Sequence, residues 1–204
     1  MIQILQQNAE VVAHTDGPSA AVQITRAATT CYNKCKDDSY AIEFCEKLKG
    51  MGHTSPFEFY TLVFSITTSR AVSHELVRHR MASYMQESQR YCGYADSLPV
   101  IKPVGLPESA LPTWVAQLES AHAAYNALLS QGVRKEDART VLPTATATRL
   151  RMAINLRSFQ NFLTLRTAPQ AWSSMRDLAT RMAVAAVQAD ATLGRILILP
   201  PQEG

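Results

Sequence analysis

The chain has 204 residues, 47% hydrophobic and 18% charged, and its 20 Lys and Arg against 17 Asp and Glu leave a formal net charge of +3. That length and apolar fraction suit one domain, 1–204, with a core of its own. The near balance of charge argues against a general nucleic-acid binder, so any anion site must be local. The opening Met1-Ile2-Gln3-Ile4-Leu5-Gln6-Gln7 lacks the basic flank and apolar run of an export signal, and no stretch reaches bilayer-spanning length, so a soluble cytoplasmic protein with no membrane partner is expected.

Residues 1–5 predict a short strand, and Asp16-Gly17-Pro18 a turn that opens a helix through Ala20, Ile24 and Ala28. Residues 40–49 carry Ile42, Cys45 and Leu48 at helical spacing and end at Gly50 and Gly52. Ser55-Pro56-Phe57-Glu58 has the order of a capping box, which predicts a helical turn. Residues 60–67 alternate, with Leu62, Phe64 and Ile66 on one face, and predict a half-buried strand. Thr68 or Ser69 can then cap a helix running from Arg70 through Leu76 toward Arg80.

Beyond it, 98–104, broken by prolines at 99 and 103, reads as an extended or edge segment. Trp114, Leu118, His122, Tyr125 and Leu129 follow the helical period up to Gly132, and 136–142 predicts a short helix stopped by Pro143. Leu150, Ile154, Phe159, Phe162 and Leu163 predict one continuous helix over 148–164, and Pro169 is expected to start another through Trp172, Met175, Ala179, Met182 and Ala186. The last two helices suit a monomer core or an oligomer interface. No internal repeat or low-complexity tract is present.

The densest chemistry lies in 78–91, where Arg78, His79, Arg80 and Arg90 accompany Ser83 and Ser88. Guanidinium groups are planar, permanently charged and able to donate two parallel hydrogen bonds, which suits phosphate. Taken alone, the cluster fits a solvated basic face as well as an anion site. The four cysteines, Cys31, Cys35, Cys45 and Cys92, form no C-x-x-C pair and have no histidines at zinc spacing, so they read as reduced thiols, with neither a metal site nor an evident nucleophile context.

Arg78-His79-Arg80 followed after seven residues by Ser88 resembles the signature of the flavin-dependent thymidylate synthases, the ThyX family. Four flanking blocks resemble the family in the same order: 53–58, Ser73-His74-Glu75-Leu76-Val77, 136–143 and 155–166. The resemblance spans roughly 26–180. It implies an α+β fold with a twisted antiparallel sheet and helices, and a homotetramer whose sites combine several subunits. The implied reaction gives dUMP a methylene group from methylenetetrahydrofolate and reduces it to dTMP with FAD, with NADPH replenishing the flavin. No protein thiol nucleophile is implied.

The same resemblance implies FAD contacts from Thr30, His53, Ser55, Glu58, Arg78, His79, Arg80, Asn155, Arg157, Asn161 and Leu165. It implies dUMP contacts from Glu75, Arg78, Gln86, Glu87, Ser88, Gln89, Arg90, Arg139 and Arg166, with Arg90 and Arg139 on the phosphate and Arg166 stabilising negative charge on the pyrimidine. Read from the residues alone, Glu58 is a capping acid, Asn155 and Asn161 are helix amides, and Arg139 and Arg166 are solvated charges; His53 is a loop histidine and Ser88 a turn donor. Phe59, Met85 and Gln170 depart from the family's pattern. Two other functions stand beside this one: a nucleic-acid-binding module built on 78–90, and a degenerate family member that binds flavin or nucleotide without turnover.

Overall fold

A computed structural model describes residues 1–31 and 37–199; Cys35 lies outside the described residues. The architecture grows from two long strands. In β3 (Thr61–Ser69), Leu62, Phe64, Ile66 and Thr68 are buried while the intervening residues are half-exposed. The same alternation governs β6 (Ala147–Asn155), where Thr148, Leu150, Met152 and Ile154 face inward and Arg149 and Arg151 outward. The two strands pair antiparallel in the register Leu62 with Ile154, Phe64 with Met152 and Ile66 with Leu150, so both apolar rows lie on one face.

The first half of the helix expected over 148–164 is therefore a strand. Leu150 and Ile154 satisfy the helical period, but with Met152 they also satisfy a period of two, and pairing along all nine residues of β3 satisfies the backbone. The helix begins only at α6 (Leu156–Arg166), where the side chain of Asn155 accepts a hydrogen bond from the Ser158 amide at 2.9 Å.

Two further strands complete the antiparallel sheet in the order β2-β3-β6-β4, and the sequence reading found neither. Only Ala9 is buried in β2 (Asn8–His14), and β4 (Ser83–Gln86) has four residues, too few for a pattern. Ahead of them, β1 (Ile2–Leu5) pairs parallel with β5 (Leu98–Ile101), as a separate two-stranded sheet.

One face of the large sheet is covered by α1 (Ala20–Thr30), α2 (Ala41–Gly50), α6 and α7 (Ser173–Ala189), with the short α8 (Leu193–Ile196) at the edge of this layer. Phe64, Phe159 and Phe162 stack through it, with ring centroids 5.2 Å apart for Phe64–Phe159 and 6.1 Å for Phe159–Phe162. Each such buried aromatic contributes about 1.5–3 kcal/mol. Buried Gln7 ties sheet to helix by donating to the Ser174 carbonyl (2.9 Å) and the Asp177 carboxylate (2.8 Å) while accepting from Thr68. On the opposite face Glu10, Ser65, Arg151 and Met85 form one cross-strand row.

A second cluster joins Tyr94, Leu98, Val100, Leu118 and Tyr125 beneath α4 (Leu111–Ser130). That helix ends, as expected, just before Gly132, whose φ of 82° favours glycine. The short helix expected over 136–142 is split into α5 (Lys135–Ala138) and a 3₁₀ turn, Arg139–Val141.

Two helix boundaries also differ. α3 (Arg70–Leu76) is capped by Ser69, which accepts from the Val72 amide at 3.2 Å, and it stops before the basic triplet. Arg78, His79 and Arg80 thus lie in the connection to β4, not on a helix end. Pro169 does not begin α7: an Ala171 amide to Ala168 carbonyl bond of 2.9 Å makes 168–171 a turn, and the helix starts at Ser173.

Candidate functional site

Helix α6 carries an arginine near each end, roughly 13 Å apart for nine residues at 1.5 Å each. Arg157 pairs with Glu58. Arg166, in the last turn, where a cation is favoured by the helix dipole, pairs with Glu75 of α3. Between them Phe159, Phe162 and Leu163 face the core, while Asn161 and Leu165 are exposed. Asn155 is the helix cap, so its amide oxygen is already engaged.

The Glu58 contact changes the expectation for 55–58. A 3₁₀ turn does form over Ser55–Phe59 with proline at its start, but no side chain caps it, because Glu58 reaches outward to Arg157. Ser55 and His53 are left exposed and line an open cleft of about 850 Å³ together with Thr30, Lys47, Phe44 and Phe59. The Thr30 hydroxyl donates back to the Arg26 carbonyl at 3.0 Å. A smaller cleft of about 310 Å³ is lined by Arg157, Asn161, Gln160, Lys49 and Thr54.

At the other end of α6, the Arg166 fork bonds the Glu75 carboxylate and, at 3.4 Å, the Glu75 carbonyl. Its Nε is buried with no partner among the described residues. His79 is 5% exposed and lies edge-on to Phe162 at 5.5 Å. Burial, and then the Arg166 charge, hold its imidazole below the ordinary histidine range, against a backbone hydrogen bond at Ser158 that raises it. The middle residue of the basic triplet is therefore a neutral imidazole at neutral pH, with exposed Arg78 and Arg80 on either side. The Tyr84 hydroxyl bridges the carbonyls of Leu76 and His79 (3.0 and 2.8 Å) and is pushed up to about 12 by burial, with the Arg166 charge acting the other way.

The remaining residues follow β4. Gln86 donates to Ser73 (2.9 Å) and Thr148 (3.2 Å), and Glu87 accepts from the buried Tyr94 hydroxyl (3.2 Å). Ser88 closes a turn, its carbonyl accepting from the amides of Tyr91 and Cys92 and its hydroxyl from that of Arg90; Gln89 is half-buried beside it. Arg90 lies over the Tyr91 ring, 5.6 Å from its centroid, and reaches the Glu136 carboxylate at 3.5 Å. Arg139 donates to the carbonyl of the same Glu136 at 3.1 Å. The fold thus brings Arg90 and Arg139 to one residue, and Arg134 joins them at 2.9 Å.

Sequence reasoning missed Arg134 and Glu136 as members of this cluster, although the charge pattern Arg134-Lys135-Glu136-Asp137-Ala138-Arg139 was a visible signal. No hydrogen bond or ion pair among the described residues joins Arg157 or Asn161 to Arg90 or Arg139.

An antiparallel sheet packed against helices, with an arginine near each end of α6 and with Arg90, Arg134 and Arg139 bonded to Glu136, defines an α+β protein. The chain belongs to the flavin-dependent thymidylate synthase family: the family described as thymidylate synthase complementing protein matches residues 10–190. The flavin-dependent thymidylate synthase of Geobacter sulfurreducens is 37% identical over 184 residues, covering 84% of this chain and 78% of that protein. The Pyrococcus furiosus protein of the same name is 36% identical over 143 residues, 67% of this chain and 58% of its own length. Among solved structures, a UMP/dUMP methylase, PolB, from Streptomyces cacaoi bound with 5-Br dUMP superposes with a TM-score of 0.82 at 22% identity, covering 97% of this chain and 98% of that one. That likeness extends the fold beyond the range of close sequence similarity. Among the described residues, no helix is long and apolar enough to cross a membrane.

Proposed function

We propose that the chain is a thymidylate synthase that uses FAD, methylenetetrahydrofolate and NADPH to convert dUMP to dTMP, acting as a homotetramer. The observation that carries this reading is the meeting of Arg90 and Arg139 at Glu136. Arg90 bonds the Glu136 carboxylate and Arg139 the Glu136 carbonyl, and their guanidinium groups suit a phosphate dianion, which competes with the carboxylate for Arg90.

The residues present fit a flavin. The cleft of about 850 Å³ falls in the range of cofactor pockets, with aromatic and aliphatic walls and a few polar groups from Thr30, His53 and Ser55. Arg157 and Asn161 offer a cation and an amide one helical turn apart on the exposed side of α6. Bound FAD supplies the hydride chemistry.

The chain's own groups bind and polarise. Arg90 and Arg139 hold the phosphate, and Arg78 reaches flavin and nucleotide from the connection before β4. Arg166 stabilises negative charge on the pyrimidine ring, a contribution favoured by its partial burial, with 21% of the side chain exposed. Neutral His79 adds no competing positive charge next to Arg166. Burial pushes the Cys45 thiol up to about 11, so it stays protonated, in keeping with a route that needs no thiolate from it.

The homotetramer, with sites that combine residues of several subunits, rests on membership of the family. The test is direct: purified protein reconstituted with FAD oxidises NADPH faster when dUMP is present and forms dTMP with methylenetetrahydrofolate. FAD-loaded protein that binds dUMP but forms no dTMP selects the degenerate reading instead.

A further inference from the structure

The segment carrying Ser88, Gln89 and Arg90 has no regular secondary structure, yet a nucleotide site needs it held in one place. Two side chains and one main-chain carbonyl meet at Glu87, the residue just before it. Arg70, the first residue of α3, donates from Nη2 to the Glu87 carbonyl at 2.6 Å. The Tyr94 hydroxyl donates to the Glu87 carboxylate at 3.2 Å, so Glu87 is gripped at both backbone and side chain. The Glu87 amide in turn donates to the Arg149 carbonyl of β6 at 2.9 Å.

Each anchor is itself fixed. The Arg70 amide donates to the Thr146 carbonyl at 2.9 Å, which sets the start of α3 against the chain entering β6. Tyr94 is 4% exposed, lies edge-on to Tyr125 at 6.3 Å, and its carbonyl accepts from the buried His122 ring at 2.7 Å. Burial and the Glu87 charge both raise the Tyr94 phenol, while Arg70 acts in the opposite sense, so the three groups share one electrostatic environment and the hydroxyl remains a donor. A charge-assisted bond to a carbonyl and a buried phenol–carboxylate bond are the strong kinds of polar contact.

We propose that Arg70 and Tyr94 are positioning residues: through Glu87 they hold the 88–90 segment in the shape that meets the nucleotide phosphate. This rests on the reading of Ser88 and Arg90 as nucleotide contacts. Arg70 works through a backbone carbonyl, and the Glu87 carboxylate is directed at Tyr94, so neither acts on the reacting atoms. Arg70 also has a buried Nε with no partner among the described residues, so its hold on Glu87 comes from the outer fork of the guanidinium.

The test uses the full chain, with Arg70→Met keeping the stem, Arg70→Lys keeping the charge, and Tyr94→Phe removing a single oxygen. Hydrogen exchange at the 88–92 amides, read by mass spectrometry without nucleotide, is expected to rise about ten-fold in Arg70→Met and Tyr94→Phe, and less in Arg70→Lys. The dUMP KM is expected to rise about ten-fold in the first two with kcat retained, and the double variant to be no worse than the weaker single, because both act on Glu87. Unchanged exchange in Arg70→Met and Tyr94→Phe overturns the clamp. Faster exchange with an unchanged dUMP KM overturns its positioning role. Wild-type protein that binds no dUMP removes the nucleotide reading, and the exchange measurement still decides whether the clamp exists.

Discussion

Arg166, in the last turn of α6, and Glu75, in α3, form an ion pair with only 21% and 30% of their side chains exposed. The arginine fork bonds both the carboxylate and the carbonyl of Glu75, so its direction is set before any ligand arrives. Replacing Arg166 with lysine keeps the charge but loses the planar fork. Turnover is expected to fall on the order of 100-fold or more, with the melting temperature little changed. Glu75→Gln, which keeps a hydrogen-bond acceptor, is expected to retain more activity than Glu75→Ala. Steady-state dTMP formation measured beside thermal unfolding checks both, and equal activity in the two Glu75 variants would remove its orienting role.

Arg90 and Arg139 share Glu136, and that sharing predicts opposite effects from neighbouring substitutions. Arg90→Ala and Arg139→Ala each remove a charged donor and are expected to weaken dUMP binding by about 10- to 100-fold. Glu136→Gln removes the carboxylate that competes with phosphate, so dUMP is expected to bind more tightly. Titration calorimetry with dUMP reads all three signs. Weaker binding by Glu136→Gln would show that the carboxylate positions the arginines rather than competing for them.

Buried His79 gives the stability a pH dependence of defined sign. Its folded imidazole lies below the ordinary 6.5, chiefly because of burial. The unfolded chain therefore takes up a proton on descending through pH 6.5 that the folded chain refuses, and stability falls with pH until the lowered folded value is passed. Urea midpoints at pH 7.5 and 5.5 are expected to drop more for the wild type than for His79→Gln. An equal drop in both would assign the acid sensitivity to other groups.

The aromatic stack between sheet and α6 predicts the largest stability loss. Phe159 is fully buried between Phe64 and Phe162, and Phe159→Ala is expected to cost about 3–5 kcal/mol, measured by denaturant unfolding. Because α6 presents Arg157 and Arg166 on the same helix, flavin and nucleotide affinities are expected to fall with it.

The sequence showed an element wherever burial was periodic over enough residues. Leu62, Phe64 and Ile66 marked β3, and the apolar face ending at Gly132 marked α4. Leu150 and Ile154 misled because they fit two periods, and only pairing with β3 decides between them. β2 was invisible because it buries a single residue, Ala9, on an edge. The site was legible mainly through its resemblance to a family: spacing alone did not connect Arg90 with Arg139. The grip of Arg70 and Tyr94 on Glu87 was beyond the sequence, since it depends on β4 lying beside β6 in one register.

FAD-dependent thymidylate synthesis is tested most directly by dTMP formation by the purified protein from dUMP and methylenetetrahydrofolate with NADPH, assayed with and without added FAD and repeated with Arg166→Ala. The expected result is FAD-dependent dTMP that disappears in the folded, FAD-loaded variant. FAD-loaded wild-type protein that yields no dTMP, or an Arg166→Ala variant with normal turnover, would contradict it.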